Sequence, residues 1–196
     1  MTFDPRPVDR EPAPCAVLLT GIPGSGKSTV AAAVAARLPK SAYIDVDALQ
    51  DMIVGGGEWP IMEGSPEADR QIFLRARHAC LLADSFVAAG FVPVLADVVV
   101  RRTHLAFYRE TLRTGRFHVV VLAPDPGVAW ERNRTRDKVL ETDWTPLDRA
   151  MRAELGDAGT WIDTSGQSVE ETVDAVLTAT GLGPGRRDRT TAQPRG

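Results

Sequence analysis

The chain has 196 residues, 43% of them hydrophobic and 25% charged, with a formal net charge of −3. That is the size of one soluble domain able to bury a core without metal or disulfide support, and its two cysteines, Cys15 and Cys80, exclude a disulfide framework. No apolar run approaches the roughly 20 residues that cross a bilayer, the N-terminus lacks an apolar signal core, and the mild acidity disfavours nonspecific nucleic-acid or membrane-surface binding, so a cytoplasmic protein is expected.

Residues 1–14 and 181–196 are rich in proline, glycine and charge and read as flexible tails, leaving 15–180 as one domain without repeats or a linker. Five short apolar runs within it, 16–20, 43–46, 91–96, 117–123 and 161–163, have the length and β-branched or aromatic content of buried strands. Between them, apolar residues recur at helical spacing: Val30, Val34 and Leu38; then Ile72, Phe73, Ala76, Ala79, Ala83 and Phe86; then Leu105, Tyr108 and Leu112. Ser65-Pro66, Asp125-Pro126 and Thr145-Pro146 each set a capping side chain before a proline, and Ser168 with Glu171 spells a capping box. Alternating strands and helices predict an α/β fold, a parallel sheet with helices on both faces, whose ligands bind beyond the carboxyl ends of the strands.

Directly after the first expected strand comes Gly21-Ile22-Pro23-Gly24-Ser25-Gly26-Lys27-Ser28-Thr29, followed by a helical run. This is G-x-x-x-x-G-K-[ST] in its strand-loop-helix setting. Glycines let successive amides face a phosphate, and the helix start adds positive potential. Lys27 is suited to β- and γ-oxygens and Ser28 to Mg²⁺, with Thr29 in reach of the α-phosphate. A chance match in a chain this long is on the order of one per cent, so nucleotide binding is the strongest expectation. An Asn-Lys-x-Asp segment for guanine is absent, Ser165-Gly166-Gln167 lies too late to be a transport-ATPase signature and reads as a loop, and a motor ATPase usually has a longer chain. Small-molecule kinases remain.

The phosphate loop, Tyr43-Ile-Asp-Val-Asp-Ala-Leu, Leu95-Ala-Asp-Val, and Val121-Leu-Ala-Pro-Asp-Pro with its arginine-rich continuation together resemble the chloramphenicol phosphotransferase-like P-loop kinases, and more distantly gluconate kinases, shikimate kinases and zeta toxins. The resemblance covers about 15–180. It implies a P-loop three-layer sandwich with a five-stranded parallel sheet in the order 2-3-1-4-5, a short lid, and ATP- and Mg²⁺-dependent phosphoryl transfer to a hydroxyl of a small molecule. In such kinases an aspartate at the position of Asp47 acts on the acceptor hydroxyl, and lid arginines close over ATP. Arg132 and Arg136, four residues apart in the segment 130–138, match the lid, although a solvated charged helix face is the bland alternative.

The acceptor side is looser. Asp45 and Asp47 share one face of the second expected strand, with Asp47 at its carboxyl end as candidate base; Asp47 with Gln50 would equally form a helix cap. Asp97 ends the third strand, where it would hold a Mg²⁺-bound water, contact the acceptor, or simply form a turn. Arg101, Arg102 and His104 follow, Arg101 as a candidate acceptor contact and His104 with little weight of its own. The stretch 55–65, with Trp59 either stacking on the acceptor or pinning the loop, and the polar side of the long helix, including Arg70, Arg75, Arg77 and His78, are expected to wall the acceptor pocket. A polynucleotide or nucleotide-sugar acceptor, or an ATP-sensing module without transfer, are the rivals. Gln50, where similar polynucleotide kinases have an arginine, and the negative net charge disfavour nucleic acid.

Overall fold

The computed structural model describes residues 14–60, 64–134 and 143–183. Along them run β1 (Cys15–Thr20), α1 (Lys27–Arg37), β2 (Ser41–Asp45), α2 (Val46–Asp51), α3 (Pro66–Ala88), β3 (Val92–Ala96), α4 (Arg102–Thr111), β4 (Arg116–Leu122), α5 (Pro126–Arg134), α6 (Thr145–Leu155), β5 (Thr160–Ile162) and α7 (Val169–Thr180). The strands form one parallel sheet in the order β2-β3-β1-β4-β5, as the resemblance implies.

Side chains alternate across the sheet, and each face has its own core. Ala16, Leu18, Leu95 and Val121 point to one side, where the small stripe Ala76, Ala79, Cys80 and Ala83 of α3 packs with Leu105 and Tyr108 of α4 and Met151 and Leu155 of α6. Val17, Leu19, Val94 and Val120 point to the other, against Val30 and Val34 of α1 and Val173 and Val176 of α7. Both faces are covered, so the strands read as continuous apolar runs. Among the described residues no helix is long and apolar enough to cross a membrane.

Local signals decide the helix ends. Ser65 accepts a hydrogen bond from the Ala68 N–H ahead of α3, and Asp125 accepts one from Gly127 at the start of α5. Ser168 and Glu171 form the reciprocal capping box of α7, which closes at Gly181 in the left-handed region. Thr145 is already helical instead of capping α6; Asp143 accepts its N–H, so that turn lies before the expected cap.

The second strand requires a correction. It ends at Asp45, not beyond it, because the Asp45 carboxylate accepts the Asp47 N–H at 3.1 Å and caps α2. Asp47 is therefore a first-turn helical residue, neither on the strand nor the cap. Register places Asp45 beside Ala96 and Ala96 beside Leu19, so the segments carrying Asp47, Asp97 and the loop after Thr20 all leave the same edge of the sheet. Residues 1–13, 61–63, 135–142 and 184–196, which include Arg136 and most of both expected tails, lie outside the described residues.

Candidate nucleotide and acceptor site

The loop between β1 and α1 is shaped by close approach. A Cβ on Gly24 would stand 2.1 Å from the Ala129 carbonyl oxygen of α5, and one on Gly21 would stand 2.5 Å from that of Leu122. Gly24 and Gly26 also have φ of +83° and +90°, a region that side chains rarely adopt. Gly26 caps α1 without a side-chain partner, and the first turn of that helix holds no acidic residue. The positive end of α1 thus faces the loop, an arrangement suited to an anion. Ser25 fits the same purpose: its hydroxyl is buried and has no hydrogen-bond partner among the described residues. Lys27 is buried, Ser28 is half-buried and Thr29 is exposed.

Beside this loop lies a cavity of about 350 Å³, walled by Gly24, Thr29, Arg132, Thr164, Gln167 and Thr172 among others. Arg132 reaches it from the last turn of α5. One terminal nitrogen donates to the Thr164 carbonyl at 2.8 Å and the other lies 3.4 Å from the Thr164 hydroxyl. The expected lid arginine is thereby drawn to the loop between β5 and α7 and braces the wall of the cavity. That loop contains Ser165-Gly166-Gln167, and its part in the cavity is absent from the sequence reading. The carboxyl end of β5 was the available signal, since ligands gather at such ends.

On the other side of the phosphate loop, α2 and α3 bring together a charged cluster. Arg75 of α3, only 3% exposed, has NH1 3.6 Å from Asp47 Oδ1 and NH2 3.4 Å from Asp97 Oδ1. Asp97 is wholly buried. Its Oδ1 also accepts the Val98 N–H at 2.8 Å, while Oδ2 accepts the Tyr108 hydroxyl at 2.8 Å and lies 3.3 Å from His104 Nε2, which is poorly aligned for a straight hydrogen bond. Burial works against its charge, but His104, Arg75 and Tyr108 outweigh it and pull the carboxyl down to about 2. With both oxygens committed, Asp97 stands behind the site, and the expected metal-water or acceptor contact has no accessible oxygen to use. His104, given little weight from the sequence, is 4% exposed and a core residue. Its spacing to Tyr108, one helical turn, was the available signal.

Asp47 differs from Asp97 in access. Its side chain is 40% exposed, and its carboxyl is pushed up, by burial first and by Asp97 and Asp45, against the opposing pull of Lys27 and Arg75. Tyr43 lies nearby, its phenol pushed up to about 12 by burial and then by Asp45, with Ser28 as a hydrogen-bond neighbour.

The loop after α2 is held by Gln71, which the sequence reading missed. Its Oε1 accepts from Gln50 Nε2 and the Glu58 N–H, both at 2.8 Å, and its Nε2 donates to the Gly56 carbonyl at 2.7 Å and Glu67 at 2.8 Å. Trp59, 42% exposed, stands with its ring 5.7 Å from the Arg75 guanidinium. Arg101, expected at the acceptor, is instead paired with Asp69 at 2.6 Å on the surface, and Arg102 pairs with Asp157.

Residues 17–153 match the AAA domain family. No curated protein matches the chain significantly. Among solved structures, an unliganded sugar kinase from Janibacter sp. superposes with a TM-score of 0.65 at 19% identity, over 88% of this chain and 97% of its own. A tunicamycin resistance protein from Deinococcus radiodurans gives 0.63 at 19% identity, over 88% and 96%. Shikimate kinase from Acinetobacter baumannii, in complex with shikimate, gives 0.57 at 22% identity, over 86% and 93%. The family match spans most of the chain, including the phosphate loop; the chain belongs to the AAA domain family and has the fold of the P-loop small-molecule kinases.

Proposed function

We propose that the protein is an ATP-dependent phosphotransferase that moves the γ-phosphoryl group of ATP to a hydroxyl of a small molecule. The observation that carries this reading is the pairing of two unlike sites at one sheet edge: a glycine-shaped phosphate loop that opens a helix with no acidic residue in its first turn, and next to it a half-accessible carboxylate, Asp47, that feels the charge of Lys27. The amides of Gly24 to Ser28 and Lys27 hold the phosphates, and the cavity braced by Arg132 takes the nucleoside. Ser28 would hold Mg²⁺, which when bound supplies charge neutralisation between the phosphate oxygens. Asp47 accepts a hydrogen bond from the acceptor hydroxyl, orients it in line with the phosphate, and takes its proton as the new P–O bond forms and the bond from the γ-phosphorus to the departing ADP breaks. Trp59 and the loop that Gln71 tethers wall the acceptor. Arg136, outside the described residues, is assigned to the lid by the resemblance alone. Antibiotic, sugar and nucleoside hydroxyls are the acceptor classes this reading admits.

The test is transfer from γ-labelled ATP with Mg²⁺ to a panel of antibiotics, sugars, sugar acids, nucleosides, nucleotide sugars and oligonucleotide ends. A labelled product that disappears with Lys27→Ala is expected. Asp47→Asn should keep ATP binding and lose about 10²–10⁴-fold in rate; near-normal turnover of that variant removes Asp47 as the base. Tight ATP binding with transfer to no acceptor would make the protein a nucleotide sensor instead.

A further inference from the structure

Asp47 stands on a helix of only six residues, and the cap from Asp45 orders its backbone without constraining its carboxylate. Around that carboxylate, Lys27 and Arg75 attract while Asp97 and Asp45 repel. Lys27 belongs to the phosphate loop, so a carboxylate left to close on Lys27 would neutralise the cation that the phosphates need. Arg75 is the counterweight. It rises from α3 and approaches Asp47 to 3.6 Å, a distance at which charge acts but no hydrogen bond forms. The oxygens of Asp47 are therefore not consumed by the pair.

What holds Arg75 is equally specific. Its other terminal nitrogen faces Asp97, which is clamped by the Tyr108 hydroxyl, the Val98 N–H and the His104 ring. The Trp59 ring packs near the guanidinium. Arg75 Nε and NH1 make no hydrogen bond among the described residues, so the side chain is retained there by one long hydrogen bond from NH2 to Asp97, at 3.4 Å, and by charge and packing.

From this geometry we infer that Arg75 is a positioning residue: anchored by the buried Asp97–Tyr108–His104 cluster, it draws the Asp47 carboxylate away from Lys27 and aims it at the acceptor hydroxyl. The inference rests on the reading of Asp47 as the base. It gives the buried cluster a part in the reaction without contact to substrate, and it predicts that a forked guanidinium, not merely a positive charge, is required, because a lysine cannot face two carboxylates at once in the same way.

The experiment is a kinetic double-mutant cycle on the acceptor found by the transfer panel, with wild type, Arg75→Lys, Asp47→Asn and the double variant, and with urea midpoints read in parallel so that a lost folded fraction is not taken for a lost rate. Arg75→Lys is expected to lower kcat by about ten-fold or more while the acceptor KM and ATP affinity change by less than about three-fold, and to lower it less than about two-fold further once Asp47 is asparagine. Should Arg75→Lys not fold, Arg75→Gln takes its place in the cycle. An undiminished kcat, or an equal fall in both backgrounds, overturns the positioning role while leaving the kinase reading intact. A wild-type protein that transfers phosphate to nothing overturns the kinase reading and this role together.

Discussion

Gly24 is the residue at which the phosphate loop is least tolerant of change. Its positive φ is costly for any other residue, and a methyl there meets the backbone carbonyl of Ala129, which cannot swing aside as a flexible side chain does. Gly24→Ala is expected to destabilise the protein by about 2 kcal/mol or more and to abolish ATP binding, since relief of the clash requires the loop to lift away from α5. Isothermal titration with ATP and a thermal melt check this, and unaltered binding would show that the loop does not depend on that close approach. The residue type was readable from the motif, whereas the reason for it, the contact with α5, was not. Asp47 shows the opposite balance: its candidacy came from the resemblance, but its helical setting was obscured because Asp45, two residues earlier, outcompeted the strand for the local backbone.

The long helix α3 does more than cover the sheet. Its small stripe meets the core, and Gln71 and Arg75, one turn apart, serve the loop after α2 and the aspartates. Gln71 uses both acceptor positions and both donors of its amide on four partners. Gln71→Leu leaves these groups without their partner and is expected to cost about 1–3 kcal/mol. It should also raise the acceptor KM several-fold with ATP affinity unchanged, as measured by initial rates and nucleotide titration. An unchanged acceptor KM would remove the loop 56–58 from the acceptor wall. Helical periodicity made α3 legible as an element, yet which of its polar residues point inward follows from the position of the loop and of β3, which no spacing rule encodes.

Three segments leave one edge of the sheet side by side, and the protein as a whole is arranged to place opposite charges there. The fully buried Asp97 makes this arrangement sensitive to acid. Its carboxyl, held at about 2 in the fold, returns to the ordinary value near 4 on unfolding. The depressed value means that its contribution, about 2 kcal/mol, is complete above roughly pH 5 and is lost as the pH falls from there toward 2. Urea midpoints of wild type should therefore drop across that interval. Asp97→Asn should start lower at neutral pH and show a shallower fall; parallel curves for the two proteins would locate the acid sensitivity elsewhere.

Strands, helices, several caps and the phosphate loop were legible in the chain because each is written in short-range order: β-branched runs, a 3.6-residue period, a proline after a capping side chain, glycines before Lys27. The parallel character of the sheet followed from the alternation of these elements. What needed the tertiary structure was the company each polar side chain keeps. Asp97, Arg75, His104 and Tyr108 come from three places in the chain, and only packing of α3 and α4 on one face of the sheet turns them into a single buried cluster. The same packing sends Arg101 outward to Asp69, and the meeting of α5 with the loop after β5 turns Arg132 toward Thr164. Local propensity acts over a few residues, whereas the environment of a buried charge is set by neighbours distant in sequence, and that environment decides whether a carboxylate meets solvent, substrate or an arginine.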